Sequence, residues 1–181
     1  MYGPNGVGVL YGKKEQLAAL EPSEYGGEMV HQVFFDHATW KDAPYKFETG
    51  TPAIAEVIAF KESIKFIKRI GLKNIGEHES MLHHYVLDRL KHEKGITIYN
   101  KLAEAPIILF NIDGVHPHDA ASMLDSHQVC VRAGHHCAQY VIQFLEQLAT
   151  LRISFGVYNT MEDCDALVKA ILETRDFFKQ F

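Results

Sequence analysis

The sequence predicts an α/β chain in which residues 51–181 form a compact α+β lobe and residues 1–50 are a piece of a larger sheet. Three observations carry this. From Thr51 onward, helical and strand patterns alternate with short connections, the pattern of layered α/β and α+β domains. The helix ends there are marked by capping and breaking residues. Before Thr51, one apolar strand pattern is followed by long, aromatic-rich loops that lack the means to bury themselves.

Tyr2-Gly3-Pro4-Asn5-Gly6 is a turn signal, and Val7–Tyr11 reads as a short buried strand. Loops with Gly26-Gly27 and an aromatic cluster at Phe34, Phe35, Trp40, Tyr45 and Phe47 follow. Thr51 can cap a helix with Pro52 at its first position and Gly71 at its end, with Ile54, Val57, Ile58, Ile64, Ile67 and Ile70 near helical spacing. Asn74 and Glu77 resemble a capping box for a second helix that ends at Gly95. Strands are expected at 96–99 and 107–112, and Pro117 opens a short helix through Leu124. A strand over 128–132, a helix over 138–148 and a strand over 151–155 come next. Thr160 with Asp163 caps a last helix ending near Phe178.

Composition excludes several classes. With 47% hydrophobic and 23% charged residues the chain reads as a soluble globular protein, and a net charge of −5 gives no basic footprint for nucleic acid or an anionic membrane. No apolar run approaches the roughly 20 residues of a membrane span. The N-terminus lacks a secretory pattern, and three cysteines without a CxxC pair argue against a disulfide framework or structural zinc. The expected location is a reducing cytoplasm.

The chemistry concentrates in Val131-Arg132-Ala133-Gly134-His135-His136-Cys137-Ala138-Gln139. This loop lies between a predicted strand and a predicted helix, so Cys137 stands near a helix N-terminus, with His136 adjacent and Arg132 five residues back. Cationic neighbours favour a thiolate, the form needed for nucleophilic attack or sulfur acceptance. The alternative is a small packed hydrophobe, since unpaired cysteine is among the most buried residue types. Arg152 interrupts an apolar strand. It is either closing an internal salt bridge, sitting on an edge strand, or presenting a fork to a carboxylate. His78, His83 and His84 lack i, i+4 ligand geometry and read as solvated, and His116-Pro117-His118 reads as the start of a helix. Cys130, in its apolar strand, and Cys164 read as packing residues. A metal site from His135, His136 and Cys137 is a weaker alternative, because adjacent side chains point apart.

Four stretches together resemble the C-terminal half of a SUF-type (NifS-like) cysteine desulfurase of the class-V aminotransferase superfamily. They are residues 2–11, Phe47-Glu48-Thr49-Gly50-Thr51-Pro52, Asp113–Asp119, and Arg132-Ala133-Gly134-His135-His136-Cys137-Ala138-Gln139. The resemblance implies the small domain of a pyridoxal-phosphate (PLP) fold-type I enzyme over 51–181 and a remnant of the cofactor-binding large domain over 1–50. It implies that Cys137 takes sulfur from L-cysteine as a persulfide, leaving alanine, for iron–sulfur cluster assembly. Arg152 would bind the substrate carboxylate, with Arg132 and His136 near the substrate. Gly50 and Thr51 would contact the cofactor phosphate across a homodimer. A SUF-system acceptor protein would take the sulfur onward. In the family the Schiff-base lysine directly precedes the Tyr-Gly-Pro turn, one position before Met1, and Lys13, Lys14, Lys41 and Lys46 do not match it. The resemblance therefore implies an inactive chain by itself, or a sulfur-carrier or interaction module.

Overall fold

A computed structural model describes residues 2–180. The chain divides into two units, one ending at Ile70 and one beginning at Gly71. Packing thus groups residues 51–70 with what precedes them, whereas the sequence reading begins the second domain at Thr51.

The first unit holds helix α1 (Lys14–Ala19), the antiparallel hairpin β1 (Val30–Val33) and β2 (Ala38–Trp40), a short 3-10 turn and helix α2 (Ile54–Ile70). Its regular structure is sparse. The expected strand over Val7–Tyr11 does not form: Val9, Leu10 and Tyr11 are exposed and join no ladder. A strand needs a neighbour to satisfy its backbone groups, and among the described residues this segment has none. The hairpin was not foreseen, because its strands are only four and three residues long and β1 lacks period-two alternation. The α2 helix forms, but it opens at Ile54 with the Val57 amide donating to Ala53 O, so Thr51 is not its cap and Pro52 is not its first residue. None of its residues is buried, and Ile54, Val57, Ile58 and Ile64 are exposed.

The second unit is built around a four-stranded sheet of order β3-β4-β6-β5, antiparallel throughout. Its elements are α3 (Leu72–Leu90), β3 (Ile96–Ile98), β4 (Ile107–Ile112), α4 (Pro117–Ser126), β5 (Arg132–Gly134), α5 (Gln139–Phe144), β6 (Thr150–Ser154) and α6 (Met161–Phe178). Alternation along the strands places Ile108, Phe110, Ile112, Leu151 and Ile153 on one face, packed with Leu82, Val86, Leu90, Leu124, Val168 and Ile171 of α3, α4 and α6. Burying such side chains is worth about 1.5–3 kcal/mol each. Leu109, Asn111 and Arg152 alternate with the core residues and belong to the opposite face.

The local signals explain most boundaries. Gly71, at φ +90°, takes a conformation costly for other residues and separates α2 from α3. Thr160 and Asp163 form the expected reciprocal capping box of α6. The Asn74–Glu77 box does not form, since α3 starts two residues earlier and carries Asn74 inside its first turn. β5 begins at Arg132 rather than Gln128. A tight turn closes α4, with Gln128 at φ +62° and the Val129 amide donating to Leu124 O at 3.0 Å. Cys130 is consequently exposed, not packed in a strand. His83 is also a correction: it is 2% exposed, inside the core face of α3, while His84 is exposed.

Candidate active site

The loop from β5 to α5 carries Cys137, and its backbone is unusual. His136 and Cys137 both adopt left-handed conformations, at φ +56° and +60°. For residues with a Cβ this costs on the order of 1 kcal/mol apiece and persists only where surrounding contacts impose it. Those contacts are visible. His136 Nε2 lies 3.0 Å from Thr150 O and 2.9 Å from Thr150 Oγ1, and His135 Nε2 lies 3.0 Å from Leu148 O. A carbonyl oxygen only accepts, so His136 carries its proton on Nε2 and leaves Nδ1 as a bare acceptor. That Nδ1 is buried without a hydrogen-bond partner. Engaging Nε2 of both rings with backbone carbonyls fixes their orientation.

Cys137 is exposed, and Arg132 donates to its sulfur, with NH2 at 3.4 Å from Sγ. The reactive loop thus joins a thiol to a guanidinium carried by the strand before it. Arg132 pairs directly with Arg152 across the β5–β6 ladder, which puts both side chains on one sheet face. Neither bland expectation for Arg152 is met. β6 is an interior strand of the sheet, and among the described residues Arg152 closes no ion pair; its Nε is buried without a partner. His136 is held below the ordinary imidazole range. Burial is the largest cause, followed by the opposing pull of the Thr150 carbonyl bond, then the charges of Arg152, Arg132 and His135. The four residues that the sequence singles out in this unit therefore lie near one another: a thiol, two guanidiniums and an imidazole that burial disfavours as a cation, a combination that can attract an anion.

Gly50 and Thr51 lie in the first unit. Gly50 is at φ +75°, its amide donates to Gly27 O at 2.8 Å, and a Cβ there would meet nothing within 4 Å. Thr51 is exposed three residues before α2. An open glycine backbone followed by an exposed hydroxyl, three residues ahead of the helix, leaves room for a phosphate. Lys46 is buried, and its Nζ donates to Ala18 O at 2.9 Å. Sequence reasoning missed Thr150, which anchors His136, and Asn111, a buried polar residue in the otherwise apolar β4. The interruption of that apolar run was the available signal.

Nearly the whole chain is similar to known proteins. Residues 1–167 match the family model Aminotransferase class-V. A "Probable cysteine desulfurase" of Halalkalibacterium halodurans is 49% identical over 178 residues, covering 98% of this chain and 44% of the relative. The crystal structure of the cysteine desulfurase CsdA from Escherichia coli superposes with a TM-score of 0.91 at 36% identity, over 97% of this chain and 44% of that one. The apo cysteine desulfurase of Thermococcus onnurineus gives a TM-score of 0.87 at 35% identity, over 99% of this chain and 44% of that one. The chain thus spans less than half the length of the relatives it matches. It belongs to the aminotransferase class-V family, where its relatives are cysteine desulfurases.

Proposed function

We propose that this chain contributes the sulfur-accepting portion of a PLP-dependent cysteine desulfurase, with Cys137 receiving sulfur from L-cysteine as a persulfide and alanine as the second product. The observation that carries the reading is the Arg132–Cys137 contact at 3.4 Å, set beside Arg152 on the next strand. Arg152, half-buried and without an ion pair among the described residues, supplies a planar fork for the substrate carboxylate. Arg132 supports an anion on the sulfur, and the adjacent His136, its imidazole disfavoured as a cation by burial, keeps a buried Nδ1 with acceptor capacity. PLP, when bound, supplies an electron sink for the substrate's α-carbon. Gly50 and Thr51 would hold its phosphate, in a homodimer in which they serve the partner subunit. In the complete enzyme, residues 51–181 form the small domain and 1–50 part of the cofactor-binding domain.

The further steps of the reading are a cytoplasmic setting, delivery of the sulfur to a SUF-type acceptor protein and use in iron–sulfur cluster assembly. The cofactor lysine lies outside these 181 residues, and the chain by itself releases no alanine. A second reading, a non-enzymatic sulfur carrier or interaction module, uses the same exposed Cys137 and draws its sulfur from an external donor. Turnover of L-cysteine by a complete desulfurase carrying this sequence, followed by peptide mass analysis, separates the two. One added sulfur atom on the Cys137 peptide, lost in Cys137→Ser, supports the enzyme. Alanine release with no sulfur on Cys137 contradicts it.

A further inference from the structure

Asn111 sits on β4 on the sheet face opposite the core, 8% exposed, and its amide is committed at both ends. Its Oδ1 accepts from the Leu151 amide at 3.3 Å, and its Nδ2 donates to Ala149 O at 3.1 Å. Leu151 N only donates and Ala149 O only accepts, so the orientation of the carboxamide is fixed. Nδ2 also reaches Tyr99 Oη and Gln147 Oε1, each at 3.2 Å. Asn111 therefore grips the peptide groups on either side of Thr150, and Thr150 is fully buried. Thr150 in turn holds His136 Nε2 through both its carbonyl and its hydroxyl. The strained His136–Cys137 backbone hangs from that anchor.

We propose that Asn111 is a positioning residue for the sulfur-accepting loop, acting through Thr150 and His136 to hold Cys137 against Arg132. The inference rests on the reading of Cys137 as the sulfur acceptor. The side chain spans the start of β6 where the β4–β6 register pairs stop at Phe110–Leu151, replacing ladder hydrogen bonds with its own. Buried amide networks of this kind are stable only when every member is satisfied, so removing the hub releases the residues it joins. A released Thr150 no longer offers His136 a fixed acceptor, and the left-handed turn at His136 and Cys137 relaxes away from Arg132.

The test is a double-mutant cycle on the 181-residue chain, reading Cys137 alkylation by iodoacetamide at neutral pH, resolved by peptide. Asn111→Ala should slow Cys137 labelling by at least about fivefold, while the same change in a His136→Ala background should alter it less than about twofold. Asn111→Ser is too short to reach Ala149 and Leu151 together and should behave alike; it decides the matter should Asn111→Ala not fold. Ile98→Ala, on the core face of β3, serves as a control that lowers Tm without changing the Cys137 rate. Lowered Tm with an unchanged Cys137 rate in both Asn111 variants makes Asn111 merely structural and overturns the proposal. So does an Asn111 effect that persists in full without His136. If wild-type Cys137 labels no faster than Cys130, the acceptor reading falls and the inference with it; a fast Cys137 insensitive to Asn111 sinks the inference alone.

Discussion

Arg132 and Arg152 are direct partners across the β5–β6 ladder, so two guanidinium residues share one face with no acidic group paired to either among the described residues. Like charges placed directly opposite each other are destabilising, by up to about 1 kcal/mol. An anion between them reverses that sign. In a complete desulfurase carrying this sequence, Arg152→Ala should raise the KM for cysteine, with a loss of about 2–5 kcal/mol in kcat/KM. Its Tm should hold or rise slightly, because no ion pair is broken. Arg152→Lys should recover only part of the loss, since an ammonium does not reproduce the planar fork. Thermal melts and cysteine dependence on the same two variants check this; a large fall in Tm with unchanged KM contradicts it.

The three thiols should separate by reactivity. Cys164 is buried, and desolvation, reinforced by Asp163 and Asp165, pushes its thiol up to about 11. At pH 8 only about one part in a thousand is thiolate. Cys130 is exposed with no cation bonded to its sulfur among the described residues, whereas Cys137 has Arg132 on its sulfur. Peptide-resolved labelling should run Cys137, then Cys130, then Cys164 far behind. Rapid labelling of Cys164 in the folded chain would remove the burial argument.

Acid should destabilise the second unit through two imidazoles. His83 is lowered by burial first and by His84 second, against a pull from the Ile107 carbonyl, and its Nε2 is buried without a partner. His136 is lowered by burial and by Arg152, Arg132 and His135. Both folded values lie below the unfolded 6.5, so the unfolded chain takes up protons first as pH falls. Stability should therefore be full above about pH 6.5 and decline below it. His83→Leu should make that decline shallower while changing stability at pH 7.5 by no more than about 1 kcal/mol, because the imidazole leaves an unmet nitrogen in the core. An equally steep decline in His83→Leu, followed by circular dichroism, would rule out His83 as a source.

Thr160→Ala should cost about 0.5–2 kcal/mol, since it removes the acceptor for the Asp163 amide and half of the capping box. Denaturant unfolding measures it directly; a change within error would show that α6 is held by its apolar face alone.

Much of the second unit was legible where a residue acts locally, the Asn74–Glu77 pair excepted. Pro117, Gly71 and the Thr160–Asp163 pair mark helix ends by chemistry confined to one turn, and the Arg132–Cys137 signature lies within six residues. What needs a distant partner was not. Val7–Tyr11 has the composition of a strand but finds no neighbour among the described residues. The position of β5 depends on how the turn after α4 spends its residues, and the anchoring of His136 depends on Thr150, fourteen residues on. His83 looked solvated because a histidine pair says nothing about which helix face meets the sheet.

The most direct test of the account supplies the 181-residue chain with a low-molecular-weight persulfide and follows sulfur by peptide mass analysis. The cysteine thiolate attacks the outer sulfur of the donor, forming a new S–S bond as the donor's inner sulfur leaves as a thiolate. The account expects the added sulfur on Cys137 well before Cys130, and its loss from that position in Cys137→Ser. Equal or earlier sulfuration of Cys130, with Cys137 unmodified, would contradict the assignment of Cys137 as the acceptor.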